Sequence, residues 1–240
     1  MPSERPGSEV GALADLLGDF AVEGWGPGRA EEAFDLVLDR SRVLSQSYVA
    51  VSEAVATAVD PAGPAVPMPA ACRTLLFAAH HRLFDGILTN AGLARRADDP
   101  GGSGVGYGGM RWDGRATKFQ GAPAARIDGE LVRAFARLRD HRTGGRSGRE
   151  AARDEAIRFY ADLSAIHPFY EANGRTGRFV VSVYLHLHGW LVEWGRLDAR
   201  EGKFMRKINS VNRRADGQTD YDAILVDFWR QYVVPTDGLG

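Results

Sequence analysis

Apolar residues between Glu9 and Glu23 fall at Val10, Leu13, Leu16, Leu17 and Phe20, the spacing of one helix face, and Gly24 follows as a stop. A longer helical pattern runs from Ala30 to about Val59, as one helix or two, with Phe34, Val37, Leu38, Leu44, Tyr48 and Val51 on or near one face. The stretch from Pro61 to Pro69 carries four prolines and reads as an extended surface connector between helices, because each proline removes an N–H donor. Helical spacing returns over Leu75 to Leu88, over Asp128 to Arg139 with Ile127, Leu131, Phe135 and Leu138, and over Arg149 to Ile166. Phe179 to Leu191 is apolar nearly all round, which predicts a central, buried helix. Lys203 to Arg214, with Phe204, Ile208 and Val211 inward, and Tyr221 to Val233 complete the series. Two short stretches able to form strands flank a turn at Trp112-Asp113-Gly114-Arg115, so a hairpin is expected between Met110 and Ala122. The pattern predicts an all-α bundle with one small β-hairpin.

Composition narrows the classes of function. The 240 residues suffice for one large domain, or a domain with a small extension. With a net charge of −1 and 44% hydrophobic residues, neither a nucleic-acid nor a membrane partner is expected. No stretch approaches the roughly 20 apolar residues of a membrane span, and Met1 to Gly11 lacks a secretory signal pattern, so a cytoplasmic protein is expected. Cys72 is the only cysteine; set in the apolar run Ala70 to Ala79, it reads as a buried small residue and not a nucleophile. Lysine occurs only at 118, 203 and 207, so arginine is this chain's habitual cation and its abundance alone says nothing about phosphate. Gly104 to Gly109 matches G-x-G-x-x-G, yet the dinucleotide mechanism needs a strand before and a long helix after; the stretch reads as a mobile loop. His186 and His188 lie two apart, on different faces of a helix, and read as structural.

Chemistry concentrates in the twelve residues His167-Pro168-Phe169-Tyr170-Glu171-Ala172-Asn173-Gly174-Arg175-Thr176-Gly177-Arg178. Asn173-Gly174 is a helix start, and the free N–H groups and positive dipole end of that helix suit an anion. Arg175 and Arg178, three apart, share a face of the first turn, a combination suited to a polyphosphate. Glu171 can hold the Mg²⁺ that accompanies one. His167, with an ordinary pKa of roughly 6.5, is the side chain best placed to take a proton near neutrality.

This string resembles the signature of the Fic family, His-Pro-Phe-x-(Asp/Glu)-Gly-Asn-Gly-Arg-x-x-Arg, and departs from it only at Ala172, where the family has glycine. The resemblance implies a Fic-type helical bundle whose hairpin is a flap that holds a target segment by strand addition. A plain surface hairpin is the other reading of those residues. The implied activity is transfer of AMP from ATP, with Mg²⁺, to a Ser, Thr or Tyr hydroxyl of a protein substrate, self-modification included. By this carry-over His167 takes the hydroxyl proton, Glu171 holds Mg²⁺, Asn173 and the Gly174 amide form an anion hole, and Arg175 and Arg178 contact the outer phosphates. Phe169 is a core plug. His81-Arg82-Leu83-Phe84-Asp85-Gly86-Ile87 is similar to the helix before the flap. Alternatives are another donor, either a different nucleotide or a CDP-choline-like compound, and a catalytically silent nucleotide-binding module.

Asp19-Phe20-Ala21-Val22-Glu23-Gly24 is similar to the family's inhibitory motif, (Ser/Thr)-x-x-x-Glu-(Gly/Asn), with Asp19 in the Ser/Thr position. On that reading Glu23 pairs with Arg178 and blocks ATP; otherwise it is an exposed glutamate before a capping glycine. Residues 1–29 are then an N-terminal regulatory segment and 30–240 the catalytic domain. The oligomeric state stays open.

Overall fold

The computed structural model describes residues 6–59, 66–99, 106–110, 116–200, 204, 208 and 221–238. Its first helix, α1 (Pro6–Phe20), buries Leu13, Leu16, Leu17 and Phe20, as the periodicity requires. It stops at Phe20, not Glu23. The Phe20 carbonyl accepts the Thr89 N–H at 2.7 Å, Ala21 forms an isolated antiparallel bridge with Leu88, and the Val22 N–H donates to the Ile87 carbonyl at 3.0 Å. Pairing with the segment after the fourth helix thus draws the chain out of α1, and Glu23 falls in an exposed turn.

The long pattern that follows is two helices, α2 (Ala30–Gln46) and α3 (Tyr48–Ala58), broken at Ser47, whose hydroxyl donates to the Leu44 carbonyl at 2.8 Å. Such back-bonding competes with the helix ladder. Helix α4 (Met68–Phe84) begins inside the expected proline connector. Pro69 is tolerated because N–H groups of a first turn have no partner in the helix. Residues 61–65 of that connector lie outside the described ones.

The hairpin pairs β1 (Gly106–Met110) with β2 (Ala116–Gln120), in register from Gly106 opposite Gln120 to Met110 opposite Ala116. Its first strand occupies the glycine-rich stretch expected to be a loop. Glycine disfavours strands locally, and here the cross-strand partner supplies the ladder. Helix α5 (Ile127–Phe135) is shorter than expected, whereas α6 (Gly145–Ile166) begins four residues before the predicted start. Tight packing at Gly148 explains the latter: a Cβ there would lie 2.6 Å from the His141 carbonyl oxygen. His141 is itself held by Glu155, 2.8 Å from its Nε2, and its N–H donates to His188 Nε2 at 3.0 Å.

Helix α7 (Asn173–Leu187) lies at the centre, against α3, α4 and α6. It ends before Gly189, whose φ of 75° only glycine adopts freely, and the chain then forms β3 (Trp190–Val192). Helices α8 (Trp194–Asp198) and α9 (Tyr221–Arg230) follow, and β4 (Val233–Pro235) pairs antiparallel with β3. The helices expected to reach Leu191 and Val233 therefore give way to a second two-stranded sheet. Of the helix expected at 203–214, the described residues Phe204 and Ile208 are helical and buried. One apolar cluster runs from Leu13 on α1 to Val233, so α1 shares its core with the rest of the bundle.

Candidate active site

Among the described residues, two non-glycine residues have left-handed backbone, and they bracket the loop between α6 and α7: His167 at φ 51° and Ala172 at φ 60°. His167 closes α6, and its N–H still donates to the Leu163 carbonyl at 2.9 Å. Ala172 opens α7, and its carbonyl accepts the first helical N–H, from Thr176, at 2.9 Å. The five residues 168–172 therefore carry the chain from one helix end to the next, with His167 at the close of α6 and the N-terminus of α7 at the other end of the loop.

Core contacts fix this loop. Phe169 is fully buried; its ring stacks on His80 at 4.0 Å and meets Phe77 edge-on at 5.6 Å. Asn173, also buried, clamps Phe169 from both sides: its Oδ1 accepts the Phe169 N–H at 2.9 Å and its Nδ2 donates to the Phe169 carbonyl at 2.8 Å. The Asn173 side chain thus shapes the loop, and the anion-binding groups that geometry offers are the first-turn N–H groups of Asn173, Gly174 and Arg175. Tyr170 packs on Phe20 of α1 and donates to Asp99 Oδ2 at 2.9 Å; burial and then this carboxylate push its hydroxyl up to about 12.

The charged side chains are arranged around that turn. Arg175 donates through Nη1 to Glu171 Oε1 at 2.9 Å and through Nη2 to Glu9 Oε2, on α1, at 3.1 Å. Arg178 is bonded to Asp198 of α8 at 2.7 Å and lies 5.0 Å over the Trp194 ring. The expected Glu23–Arg178 pair is not formed: Glu23 is exposed beyond the end of α1, and Asp198 occupies Arg178. Asp19 is exposed on the last turn of α1, where its charge reaches Tyr170. Glu171, Asn173, Gly174, Arg175 and Arg178 lie on or beside the first turns of α7, with His167 at the other end of the loop, whereas Asp19 and Glu23 are exposed at the end of α1 and beyond it.

Burial, and then the positive charge of Arg95, hold the His167 imidazole down to about 4, so the ring is neutral and has a free lone pair near pH 7. Arg95 and its tie to the hairpin were not visible in the local pattern. Its guanidinium is buried, donating from Nε to the His167 carbonyl and from Nη2 to the Ala122 carbonyl, both at 2.9 Å. Partners 72 and 27 residues away leave no local spacing signal. Among the described residues, no group of three or more His, Cys, Asp or Glu gathers as a metal site. Cys72 is fully buried with its thiol pushed up to about 12, in keeping with a packing role.

Residues 71–185, which hold this loop and both arginines, match a family model described as Fic/DOC family. Residues 71–185 thus form a Fic/DOC family domain. The solved N-terminal Fic domain of a VirB-translocated Bep effector from Bartonella quintana matches this Fic chain with a TM-score of 0.54 at 17% identity, covering 88% of this chain and 86% of that one. A structure of such a domain from Bartonella quintana with bound ADP gives 0.53 at 17% identity, covering 88% of each chain. BepC from Bartonella tribocorum, solved with bound AMPPNP, gives 0.54 at 15% identity over 92% of this chain and 98% of its own. At such identities the likeness establishes the Fic fold. No curated protein matches the sequence.

Proposed function

We propose that this Fic protein transfers AMP from ATP to a hydroxyl of a protein. The observation that carries the reading is His167, held neutral by burial and Arg95 at the left-handed end of α6, with five residues between it and the start of α7. The target hydroxyl oxygen attacks the α-phosphorus, its proton passes to an imidazole nitrogen of His167, and the bond from the α-phosphorus to the bridging oxygen breaks. Pyrophosphate leaves with the bonding pair. General-base assistance of this kind contributes about 10²–10⁴-fold. The N–H groups of Gly174 and Arg175 and the Arg175 side chain would bear the phosphate charge. The nucleotides bound to the Bartonella proteins support a nucleotide donor. Mg²⁺, held largely by phosphate oxygens and water, needs only one or two carboxylates, and Glu171 beside the α7 turn fits that role; it would neutralise phosphate charge there.

α1 touches the site through Glu9 on Arg175, and this contact, in place of Glu23 on Arg178, is the restraint we assign to the N-terminal segment. A second reading, a silent nucleotide-binding module, has in its favour that carboxylates engage both arginines. The experiment is incubation with α-³²P-ATP and Mg²⁺. Wild type should label itself or a lysate protein, and His167→Ala should lose the label while still binding ATP by calorimetry. ATP binding without labelling by wild type would favour the silent module, and undiminished labelling by His167→Ala would end the proposed role of the histidine.

A further inference from the structure

Arg95 lies on the segment between α4 and the hairpin, yet its bonds go elsewhere. Its own N–H donates to the Pro168 carbonyl at 2.8 Å, its Nε to the His167 carbonyl at 2.9 Å, and its Nη2 to the carbonyls of Ala122 at 2.9 Å and Ile166 at 3.4 Å. Ala122 follows β2 by two residues, and its N–H donates to the Ile166 carbonyl at 3.0 Å. One guanidinium, 3% exposed, therefore gathers the carbonyl end of α6, the start of the catalytic loop and the exit of the hairpin. Its planar fork suits this role, since a lysine offers a single charged point in place of several fixed donors. Gly121 completes the junction: a Cβ there would lie 2.9 Å from both Arg95 Nη2 and His167 Cβ. The hairpin thus leaves β2 in contact with the histidine, with no room for a side chain between them.

We infer that Arg95 is a positioning residue for the transfer, holding the hairpin edge on which an acceptor segment pairs in one register with the imidazole that takes its proton. The inference rests on the adenylylation reading above. It assigns Arg95 no contact with nucleotide or acceptor; the residue acts through the backbone of His167 and Ala122. Misplacement of reacting groups by about 1 Å can cost about a hundredfold in rate, so a loosened junction should lower turnover and leave nucleotide affinity alone.

The test compares wild type with Arg95→Lys, Arg95→Met and Gly121→Ala. It measures ATP affinity by calorimetry, label transfer from α-³²P-ATP, hydrogen exchange at the Ala122 amide, and the His167 ring signals by NMR. For Arg95→Met the expected result is ATP affinity within about twofold of wild type, labelling reduced by about a hundredfold, and faster Ala122 exchange. Removing the charge should also move the His167 titration upward. Arg95→Lys should keep that titration low while recovering only part of the labelling, a split that general loosening of the fold would not produce. If Arg95→Met fails to fold, Gly121→Ala carries the test, with retained ATP binding and lost labelling expected. Labelling retained in folded Arg95→Met, or in Gly121→Ala, overturns the inference. Should wild type bind ATP but label nothing, the adenylylation reading fails by itself, and unchanged Ala122 exchange in the variants would separately remove the Arg95 junction.

Discussion

Asn173 shows how a residue can belong to the site by supporting it. Both polar atoms of its amide are bonded to the backbone of Phe169, which is buried. Replacing it by alanine would strand an N–H and a carbonyl, each costing about 1–3 kcal/mol. Asn173→Ala should therefore lower the melting temperature of the ligand-free protein by about 4–24 °C, at some 2–4 °C per kcal/mol for a chain of this size. Differential scanning calorimetry without nucleotide checks this, since an asparagine that only contacted phosphate would leave the ligand-free transition in place. Ala172 is a different case. Its left-handed backbone costs about 1–2 kcal/mol, whereas glycine there would give up a buried methyl worth about 0.8 kcal/mol and a further 0.4–1 kcal/mol of chain entropy. The two sides nearly cancel, which explains how alanine is accommodated where the family has glycine.

Among the elements, α1 is where sequence and structure part most. Its apolar face was legible, because helix periodicity is local and Leu13, Leu16, Leu17 and Phe20 all go inward. Its end was not legible, because Phe20, Ala21 and Val22 leave the helix to pair with Ile87, Leu88 and Thr89, far along the chain. The contact of α1 with the candidate site differs from the expected one for the same reason: it is made by Glu9, which is placed by the docking of α1 and not by any short motif. The Glu9 side chain is half exposed, so its pair with Arg175 is worth about 0.2–1 kcal/mol. Glu9→Gln should accordingly raise ATP affinity by no more than about fivefold, with the gain shrinking as salt is added. Calorimetric titrations at low and high ionic strength test this, and an affinity unchanged at low salt would leave α1 without a restraining role. The hairpin was legible from its turn and flanking stretches, but not the extent of its first strand: β1 sits in glycines whose local preference points away from a strand, and only pairing with β2 fixes it.

For the whole molecule, the buried histidines set the response to acid. His167 is held down to about 4 by burial and Arg95, and His80 to about 3 by burial and the neighbouring His81. Burial also lowers His188, whose Nδ1 donates to the Tyr184 carbonyl at 2.7 Å while its Nε2 accepts the His141 N–H. In the unfolded chain each titrates near 6.5, so the unfolded state binds protons that the folded state refuses. The stability tied to these groups is thus fully present above about pH 6.5 and is lost as pH falls through the folded values. Urea midpoints should drop between about pH 7 and about pH 5, each histidine contributing up to about 1.4 kcal/mol per pH unit. A midpoint constant over that window would contradict the neutral, buried assignment. The twelve-residue signature, the helical class and the inward faces were all readable, since each rests on neighbours a few positions apart. Arg95, Glu9 and Asp198 were not, because only the folded chain brings them to His167, Arg175 and Arg178.

The stack of Phe169 on His80 ties the loop between α6 and α7 to the C-terminal half of α4. A loop seated on core side chains loses that seat when the core opens, so on the proposed reading the loss of labelling on warming should follow the unfolding transition.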